Sequence, residues 1–134
     1  MIMNNRWSTP DDVFRPLQKE FGFDMDVCAE KWNAKCTKYF DPVTDGLSQK
    51  WTGVCWMNPP FGKEIEKWIK KAFLESKKGC TVVCLVPART ETGWWHDYCL
   101  KGEIRFIRGR IHFTDCNGKT GRPRFGNAIV IFRP

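Results

Sequence analysis

One short segment limits the folds open to this chain more than any other: the apolar run TVVCLV at residues 81–86, which Pro87 closes. It is rich in β-branched residues, and a strand that is apolar on both faces is typical of a parallel sheet covered by helices. Residues 23–29, 54–57 and 127–132 form further apolar runs of strand length. The sequence therefore predicts several buried strands in one sheet.

Segments with helical spacing lie between these strands. Ser8 or Thr9 is a candidate cap for a first helix with Pro10 at its first position, which Gly22 ends. Further helices are predicted at residues 30–39, 64–77 and 94–100, further strands at 104–107 and 110–113, and loops at 41–50 and 114–126. Alternating helices and strands indicate an α/β domain with a mostly parallel sheet, whose ligands bind at the carboxyl ends of the strands.

The tetrapeptide Asn58-Pro59-Pro60-Phe61 follows one predicted strand directly. Two prolines fix φ and lack N–H groups, so they end strand pairing and leave carbonyls free. The Asn58 amide oxygen and the Pro59 carbonyl then offer acceptors for both N–H groups of an exocyclic amine. Phe61 offers a flat face on which a base can stack. The motif indicates a site for a flipped base, although an ordinary strand-ending turn has the same composition.

The charge is unevenly distributed. The chain has a net charge of +7, and residues 101–134 hold eight basic side chains against two acidic ones. Such a basic segment is typical of a surface that binds a polyanion, because Lys and Arg neutralise phosphates. The loop Arg122-Pro123-Arg124 is the candidate contact with DNA, and solubility alone is the other interpretation.

Composition favours a reduced, metal-free protein. Seven cysteines occur without a C-x-x-C pair, and two histidines do not complete a zinc set with them. We interpret Cys28, Cys55, Cys80 and Cys84 as buried thiols within strands. A span of 134 residues predicts a single domain, with no apolar stretch long enough to cross a bilayer. We expect a cytoplasmic protein, a monomer or a weak homodimer.

The ordered blocks resemble a known family, the small phage-type DNA N6-adenine methyltransferases that use S-adenosylmethionine. The resemblance covers nearly the whole chain. It rests on W-x-TP from Trp7, FDMDVCA from Phe23, DGL from Asp45, WMNPPFG from Trp56, LVPART from Leu85 and NAIVIF from Asn127. It implies a trimmed Rossmann-like methyltransferase fold with an antiparallel C-terminal strand region, acting on double-stranded DNA.

The resemblance also implies roles for the matching residues. It places catalysis at Asn58, Pro59, Pro60 and Phe61. It implies an S-adenosylmethionine site at Trp7, Thr9, Pro10, Asp26, Val27, Cys28, Ala29, Asp45, Leu47 and Asn58. We expect the DNA contacts at Arg89, Lys119, Arg122 and Arg124.

The chain departs from this class in one respect. The usual cofactor turn after the first strand is rich in glycine, whereas Glu30-Lys31-Trp32 stands here. Only glycine allows close backbone approach without a side-chain penalty, so side chains are expected to reach the cofactor instead. The alternatives are a methyltransferase for cytosine N4, RNA adenine or a glutamine side chain, or a basic DNA-binding module that has lost the cofactor.

Overall fold

The computed structural model describes residues 7–134 and shows the predicted alternation of strands and helices. The helices are α1 (Asp11–Phe21), α2 (Ile65–Ser76) and α3 (Gly93–Asp97). The strands are β1 (Met25–Asp26), β2 (Val54–Met57), β3 (Thr81–Pro87), β4 (Glu103–Phe106), β5 (Phe113–Thr114), β6 (Thr120–Gly121) and β7 (Asn127–Phe132). Short 3-10 helices occupy Gly46–Ser48 and Cys99–Lys101.

Five strands form the central sheet in the order β1-β2-β3-β7-β4. β1, β2 and β3 are parallel, and β7 pairs antiparallel with both β3 and β4. Four of these strands therefore point the same way, and β7 runs against them. β5 and β6 form a separate antiparallel hairpin. The predicted fold class, a trimmed mostly parallel α/β sheet with an antiparallel C-terminal region, is confirmed.

β3 is buried on both faces, as its composition predicts. Val82, Cys84 and Val86 pack in the core layer formed with α2 and α3. Val83 and Leu85 point the other way and pack in the layer that α1 covers. Both layers share the same sheet, so the strands order the core on each side of it.

α1 lies across one face and is fixed at both ends. The N-cap is Pro10, so the helix begins at Asp11, one residue later than predicted, and the Thr9 side chain bonds to Asn58 instead of capping the helix. The helix ends at Gly22 with φ 65°, a left-handed conformation that favours glycine. Arg105 of β4 donates two hydrogen bonds to the Glu20 carboxylate, at 2.7 and 2.8 Å. This ion pair joins the end of α1 to the far edge of the sheet.

The predicted helix at residues 30–39 is absent, and β1 is shorter than residues 23–29. The segment after β1 folds back beside it, and Tyr39 forms a parallel bridge with Asp26. The Lys35 N–H donates to the Asp26 carboxylate at 3.0 Å. Helix formation fails here because side chains take the backbone donors that a helix would use.

Three boundaries near the C-terminus also differ from the prediction. The helix expected at 94–100 divides into α3 and a 3-10 turn. The strand expected at 110–113 is shifted to β5, and the loop 114–126 contains β6. β5 pairs with β6 and also with a distant segment, since Ser8 N–H donates to Thr114 O at 2.7 Å. Local periodicity carries no information about that pairing.

Glu75 ties α2 to the loop before β2. Its side chain is 2 % exposed, and it accepts a hydrogen bond from Trp51 N at 2.7 Å. Lys78 and Lys71 lie 3.2 and 3.8 Å from its other oxygen. Burial raises the pKa of Glu75, but the Trp51 hydrogen bond and the two ammonium groups outweigh this and lower it. The carboxylate is therefore charged and paired.

Glu75→Ala should lower the free energy of unfolding by about 2–3 kcal/mol, because it leaves the buried Trp51 N–H without a partner. Urea denaturation followed by tryptophan fluorescence measures the change. Glu66→Ala, an exposed position on the same helix, is the matched control and should stay within about 0.5 kcal/mol of the unmodified protein. Equal midpoints for the two variants would contradict a structural role for Glu75.

Candidate active site

Asn58 comes directly after β2, at the edge where the parallel strands end. Its Nδ2 donates to Thr9 Oγ1 at 3.1 Å, which links the predicted target site to the predicted cofactor segment. Thr9 is 2 % exposed, so this hydrogen bond is shielded from water. Asn58 Oδ1 has no hydrogen-bond partner within residues 7–134 and remains available as an acceptor.

The two prolines hold the backbone beyond Asn58. Pro59 is buried and Pro60 is half-buried. Neither residue has an N–H group to donate. No backbone donor of the described chain reaches the Pro59 carbonyl. Asn58 and Pro59 thus present two unpaired acceptors side by side on a rigid segment.

Phe61 is half-buried and its ring already has aromatic partners. Phe113 of β5 meets it edge-on at 6.1 Å between ring centroids, and Phe125 does so at 5.6 Å. Phe125 lies in the loop between β6 and β7. The face expected to stack on a base is therefore next to a residue of the predicted DNA-binding loop.

Asp26, the last residue of β1, is buried and held by two backbone donors. Cys28 N donates to Oδ1 at 3.2 Å and Lys35 N donates to Oδ2 at 3.0 Å. Burial raises the pKa of Asp26 to about 7, and the two hydrogen bonds and the Lys35 charge oppose this rise. The carboxyl group therefore titrates near neutral pH within the site.

Two residues that the sequence did not single out complete this end of β1. Asn33 accepts a hydrogen bond from Glu30 N at 2.7 Å and donates to Trp7 O at 3.0 Å. The Lys35 ammonium donates to Ser8 Oγ at 3.1 Å and to Thr9 O at 2.8 Å. These contacts hold the turn that lacks glycine. The only hint in the sequence is that polar residues occupy a segment whose helical pattern is weak.

The predicted residues converge on one small cavity. It has a volume of about 10 Å³, room for about one water molecule. Its walls are Trp7, Thr9, Asp26, Cys28, Asn33, Lys35, Trp56 and Asn58. Lys35 also lines a larger open cleft of about 530 Å³ on its other side. Its side chain thus contributes to both spaces.

The other predicted cofactor residues do not line this cavity. Val27 and Ala29 are buried just after β1. Asp45 has φ 56° and its carboxylate accepts a hydrogen bond from Leu47 N at 3.2 Å. A side chain at Gly46 would collide with the Val27 carbonyl. The segment from Asp45 to Leu47 therefore packs against the end of β1, whereas Pro10 caps α1.

The predicted DNA contacts lie outside the cavity. Lys119, Arg122 and Arg124 are exposed on the β5–β6 hairpin and the loop after it, and none forms an ion pair within residues 7–134. Arg89 instead bonds Glu91 at 2.7 and 2.9 Å. Three unpaired charges on the hairpin and the loop after it are thus available for an anionic partner. The charge of Arg89 is already paired with Glu91.

The hairpin is attached to the N-terminal segment of the site. Ser8 and Thr114 form an antiparallel bridge. Gly121 lies flat against the Trp7 ring, where a side chain would overlap the indole. The described part of the chain has no cluster of three or more potential metal-ligating side chains and no helix long and apolar enough to cross a membrane.

The chain is similar to known proteins along nearly its whole length. The family model described as DNA N-6-adenine-methyltransferase (Dam) matches residues 2–134. The chain belongs to this family. A DNA N-6-adenine-methyltransferase of Haemophilus phage HP1 is similar to it, with 33 % identity over 141 residues that cover 96 % of this chain and 78 % of the phage protein. The putative methyltransferase YfdM of Escherichia coli is 30 % identical over 67 residues, covering 44 % of this chain and 74 % of YfdM.

Membership of the DNA N-6-adenine-methyltransferase family confirms the resemblance found in the sequence. In this family member, Trp7, Thr9, Asp26, Cys28 and Asn58 share one cavity. The segments with Arg89 and with Lys119, Arg122 and Arg124 lie away from that cavity. The roles of all these residues stay predictions.

Asp26→Asn should change how stability depends on pH. The folded protein binds a proton on Asp26 with a pKa of about 7, against an ordinary value of 3.8. Folding therefore gains from this group below its ordinary pKa, and that gain is lost as pH rises through about 7. The stability of the unmodified protein, relative to the variant, should fall between about pH 4 and pH 7. Urea denaturation of both proteins across that range measures the difference, and parallel pH profiles would refute it.

Proposed function

We propose that this chain is a DNA N6-adenine methyltransferase that takes its methyl group from S-adenosylmethionine. The observation that carries the proposal is the Asn58 amide, which Thr9 orients so that Oδ1 remains a free acceptor beside the Pro59 carbonyl. Family membership supports the choice of DNA adenine as substrate. We further propose that the chain acts on double-stranded DNA in the cytoplasm, in keeping with the family, and that it acts as one domain, because both core layers share one sheet.

The polar groups of the cavity fit the amino-acid end of S-adenosylmethionine. That end carries one ammonium and one carboxylate, and the cavity offers the Asp26 carboxylate and the Lys35 ammonium. When bound, the cofactor supplies an electrophilic methyl group on a sulfonium. Thr9, Asp26, Lys35 and Asn58 are the residues that would hold it. The close packing of Gly46 on Val27 supports a second contact region along the Asp45–Leu47 segment.

Lys35 must move for a ligand of this size to enter. The cavity holds about one water molecule, but Lys35 also lines the cleft of about 530 Å³. Its side chain is half-buried and carries four rotatable bonds, so a change of rotamer joins the two spaces. Burial lowers the pKa of Lys35, and the nearby Asp11 and Asp26 carboxylates oppose that change. Pairing with a ligand carboxylate would relieve part of this burial cost.

The target amine is held by acceptors alone. Asn58 Oδ1 and the Pro59 carbonyl accept its two N–H groups, which turns the nitrogen lone pair away from the protein backbone. As positive charge develops on that nitrogen, both dipoles stabilise it. A general base before transfer is unnecessary, because the attacking lone pair is already available. Positioning and electrostatics supply the rate enhancement.

A base inside a duplex must leave the helix to reach Asn58. Phe61 provides its stacking surface, worth about 1–3 kcal/mol per base. Phe125 contacts the same Phe61 ring edge-on, so a base that stacks on Phe61 lies beside Phe125. Because Phe125 directly follows Arg124, binding of phosphate by this loop and opening of the base site involve the same segment.

The rival functions predict different products. A methyltransferase for cytosine N4, RNA adenine or a glutamine side chain would modify that target instead, and a non-catalytic module would modify none. Sequencing of methylated bases in DNA from cells that express the chain identifies the base, its position and its context. N6-methyladenine at a defined site supports the proposal.

Asn58→Ala should lower the rate of adenine methylation by about 100-fold or more, since it removes an acceptor for the developing charge. The affinity for S-adenosylmethionine should fall much less than the rate, because Thr9, Asp26 and Lys35 still hold the cofactor. Methyl transfer to a duplex with the mapped site and calorimetric titration of the cofactor measure the two effects. Asn117→Ala, an exposed amide in the hairpin turn, is the control. A native rate for Asn58→Ala excludes the assignment.

Arg122→Gln combined with Arg124→Gln should weaken DNA binding and make it less sensitive to salt. Loss of two phosphate contacts reduces the slope of log K against log salt by about 1.8. Fluorescence anisotropy of a labelled duplex at several salt concentrations gives the slope. The matched control is Arg15→Gln with Lys19→Gln, two exposed charges on α1. Identical slopes for the two double variants would remove the loop from the interface.

A further inference from the structure

The fold divides the eight basic side chains of residues 101–134 into two groups. Arg105 and Arg133 are paired with glutamate carboxylates, and the Lys101 ammonium lies over an aromatic ring. The other five are exposed, and their side chains form no ion pair or hydrogen bond within residues 7–134: Arg108, Arg110, Lys119, Arg122 and Arg124. Three of these belong to the predicted DNA contacts. Arg108 and Arg110, in the turn between β4 and β5, have no role so far.

The turn at residues 108–110 lies at the same edge of the sheet as Asn58. β3 and β4 both pair antiparallel with β7, so they run in the same direction. Ile107 N donates to Asn127 O at 3.2 Å, and Asn127 pairs with Pro87, the last residue of β3. The chain therefore leaves β4 level with the carboxyl end of β3. Asn58 follows the carboxyl end of β2, which is parallel to β3.

The chain after this turn is anchored beside the proposed base site. Ile111 and Phe113 are buried in the layer beneath α1, whereas Arg110 and His112 are exposed. Such alternation is typical of an extended segment. The Phe113 ring meets Phe61 edge-on at 6.1 Å. Because three residues span at most about 11 Å, Arg110 is held close to the ring on which the base is proposed to stack.

No acidic side chain of this segment neutralises the arginines. Asp115 is the only acidic residue between positions 107 and 126. Its Oδ1 accepts hydrogen bonds from Asn117 N and Lys119 N, both at 2.9 Å, so the carboxylate is engaged in its own turn. Gly109 has φ 77°, a conformation that favours glycine, and lets the chain turn between two arginines. The segment thus presents positive charge that suits a polyanion.

Resting on the proposed function, we propose that Arg108 and Arg110 form a second phosphate-binding site for DNA, separate in the chain from the loop with Arg122 and Arg124. Its ligands are backbone phosphates that flank the target base. A guanidinium binds two phosphate oxygens at once. Such contacts position a duplex and carry no sequence information.

The bound phosphates belong to nucleotides near the target. A duplex rises about 34 Å per turn, whereas Arg110 lies within about 11 Å of Phe113 along the chain. The contact therefore falls within one helical turn of the flipped base. A duplex that is held at two places does not pivot about a single contact, so the target base is presented in one orientation.

Arg108→Gln combined with Arg110→Gln should weaken binding of a labelled DNA duplex roughly 10-fold or more at about 0.1 M salt. It should reduce the slope of log K against log salt by about 1.8, the value for two phosphates. Fluorescence anisotropy without cofactor measures both. The matched control, Lys77→Gln with Lys101→Gln, removes the same charge at the opposite edge, where α2 ends and β4 begins. Equal slopes for the two double variants would overturn the inference.

Neutral methylphosphonates locate the contacts on the DNA. They replace one phosphate at a time within one turn on each side of the mapped adenine. Each contacted position should cost the unmodified protein roughly 8-fold in affinity at about 0.1 M salt. At the positions bound by Arg108 and Arg110 this cost should vanish in the double variant, while the positions bound by the other loop keep theirs. A scan in which every cost persists in the double variant rejects the second site.

Thermal unfolding shows whether the variants fold. Tm should match that of the unmodified protein, because both side chains are exposed and unpaired within residues 7–134. Should the double variant unfold, each single variant, Arg108→Gln or Arg110→Gln, should reduce the salt slope by about 0.9, and unchanged slopes in both would overturn the inference. Altered sequence preference at an unchanged slope would also refute a phosphate contact. Failure of the proposed function is a separate result: the unmodified protein would then produce no N6-methyladenine, while the salt slopes still differ between variant and control.

Discussion

The buried carboxylate of Asp26 is the interaction on which the sheet edge that carries Asn58 depends. Nucleotide-binding turns in α/β folds commonly use glycine to bring backbone close to a ligand. Here Asp26 collects the N–H groups of Cys28 and Lys35, while Asn33 joins the following turn to Trp7. The turn is held by side chains from both sides. A buried carboxyl group with a raised pKa lowers stability at neutral pH, and such a cost is typical of functional sites.

That polar cluster brings the N-terminal segment onto the sheet, where each of three successive residues contacts a different part of the molecule. Trp7 packs against Gly121 of the hairpin. Ser8 pairs with Thr114. Thr9 bonds Asn58. In a chain of 134 residues, one tripeptide thus connects the cavity beside Asp26, the Asn58 side chain and the basic hairpin. A displacement of the hairpin reaches Asn58 through direct contacts.

The sequence predicted the features that depend on local pattern. β2 and β7 have the expected bounds, and β3 is buried on both faces because its alternating positions are all apolar. The predictions were wrong where contacts between residues far apart in the sequence determine the local structure. The segment at residues 30–39 has side chains that fit a helix, but Asp26 takes one of its backbone donors. The second partner of β5 is Ser8, more than a hundred residues earlier in the chain.

The candidate site likewise combines features that are visible in the sequence with features that depend on distant contacts. The Asn58 motif is contiguous, so its chemistry is visible in the sequence. Lys35 and Asn33 contribute through contacts with residues about 26 positions away, and no spacing rule indicates such pairs. Arg108 and Arg110 stand out in the sequence only as members of a basic segment. That their charges are unpaired within residues 7–134 becomes visible only once the chain has folded.

The position of β7 has a consequence for how the molecule forms. This strand follows every other described strand along the chain, yet it lies between β3 and β4 and supplies the hydrogen bonds for both. Until residues 127–132 have been synthesised, one edge of β3 is open and β4 has no partner in the sheet. A nascent chain therefore exposes two unpaired strand edges, of the kind that promote aggregation. The sheet closes from its middle, in a late step that joins distant parts of the chain.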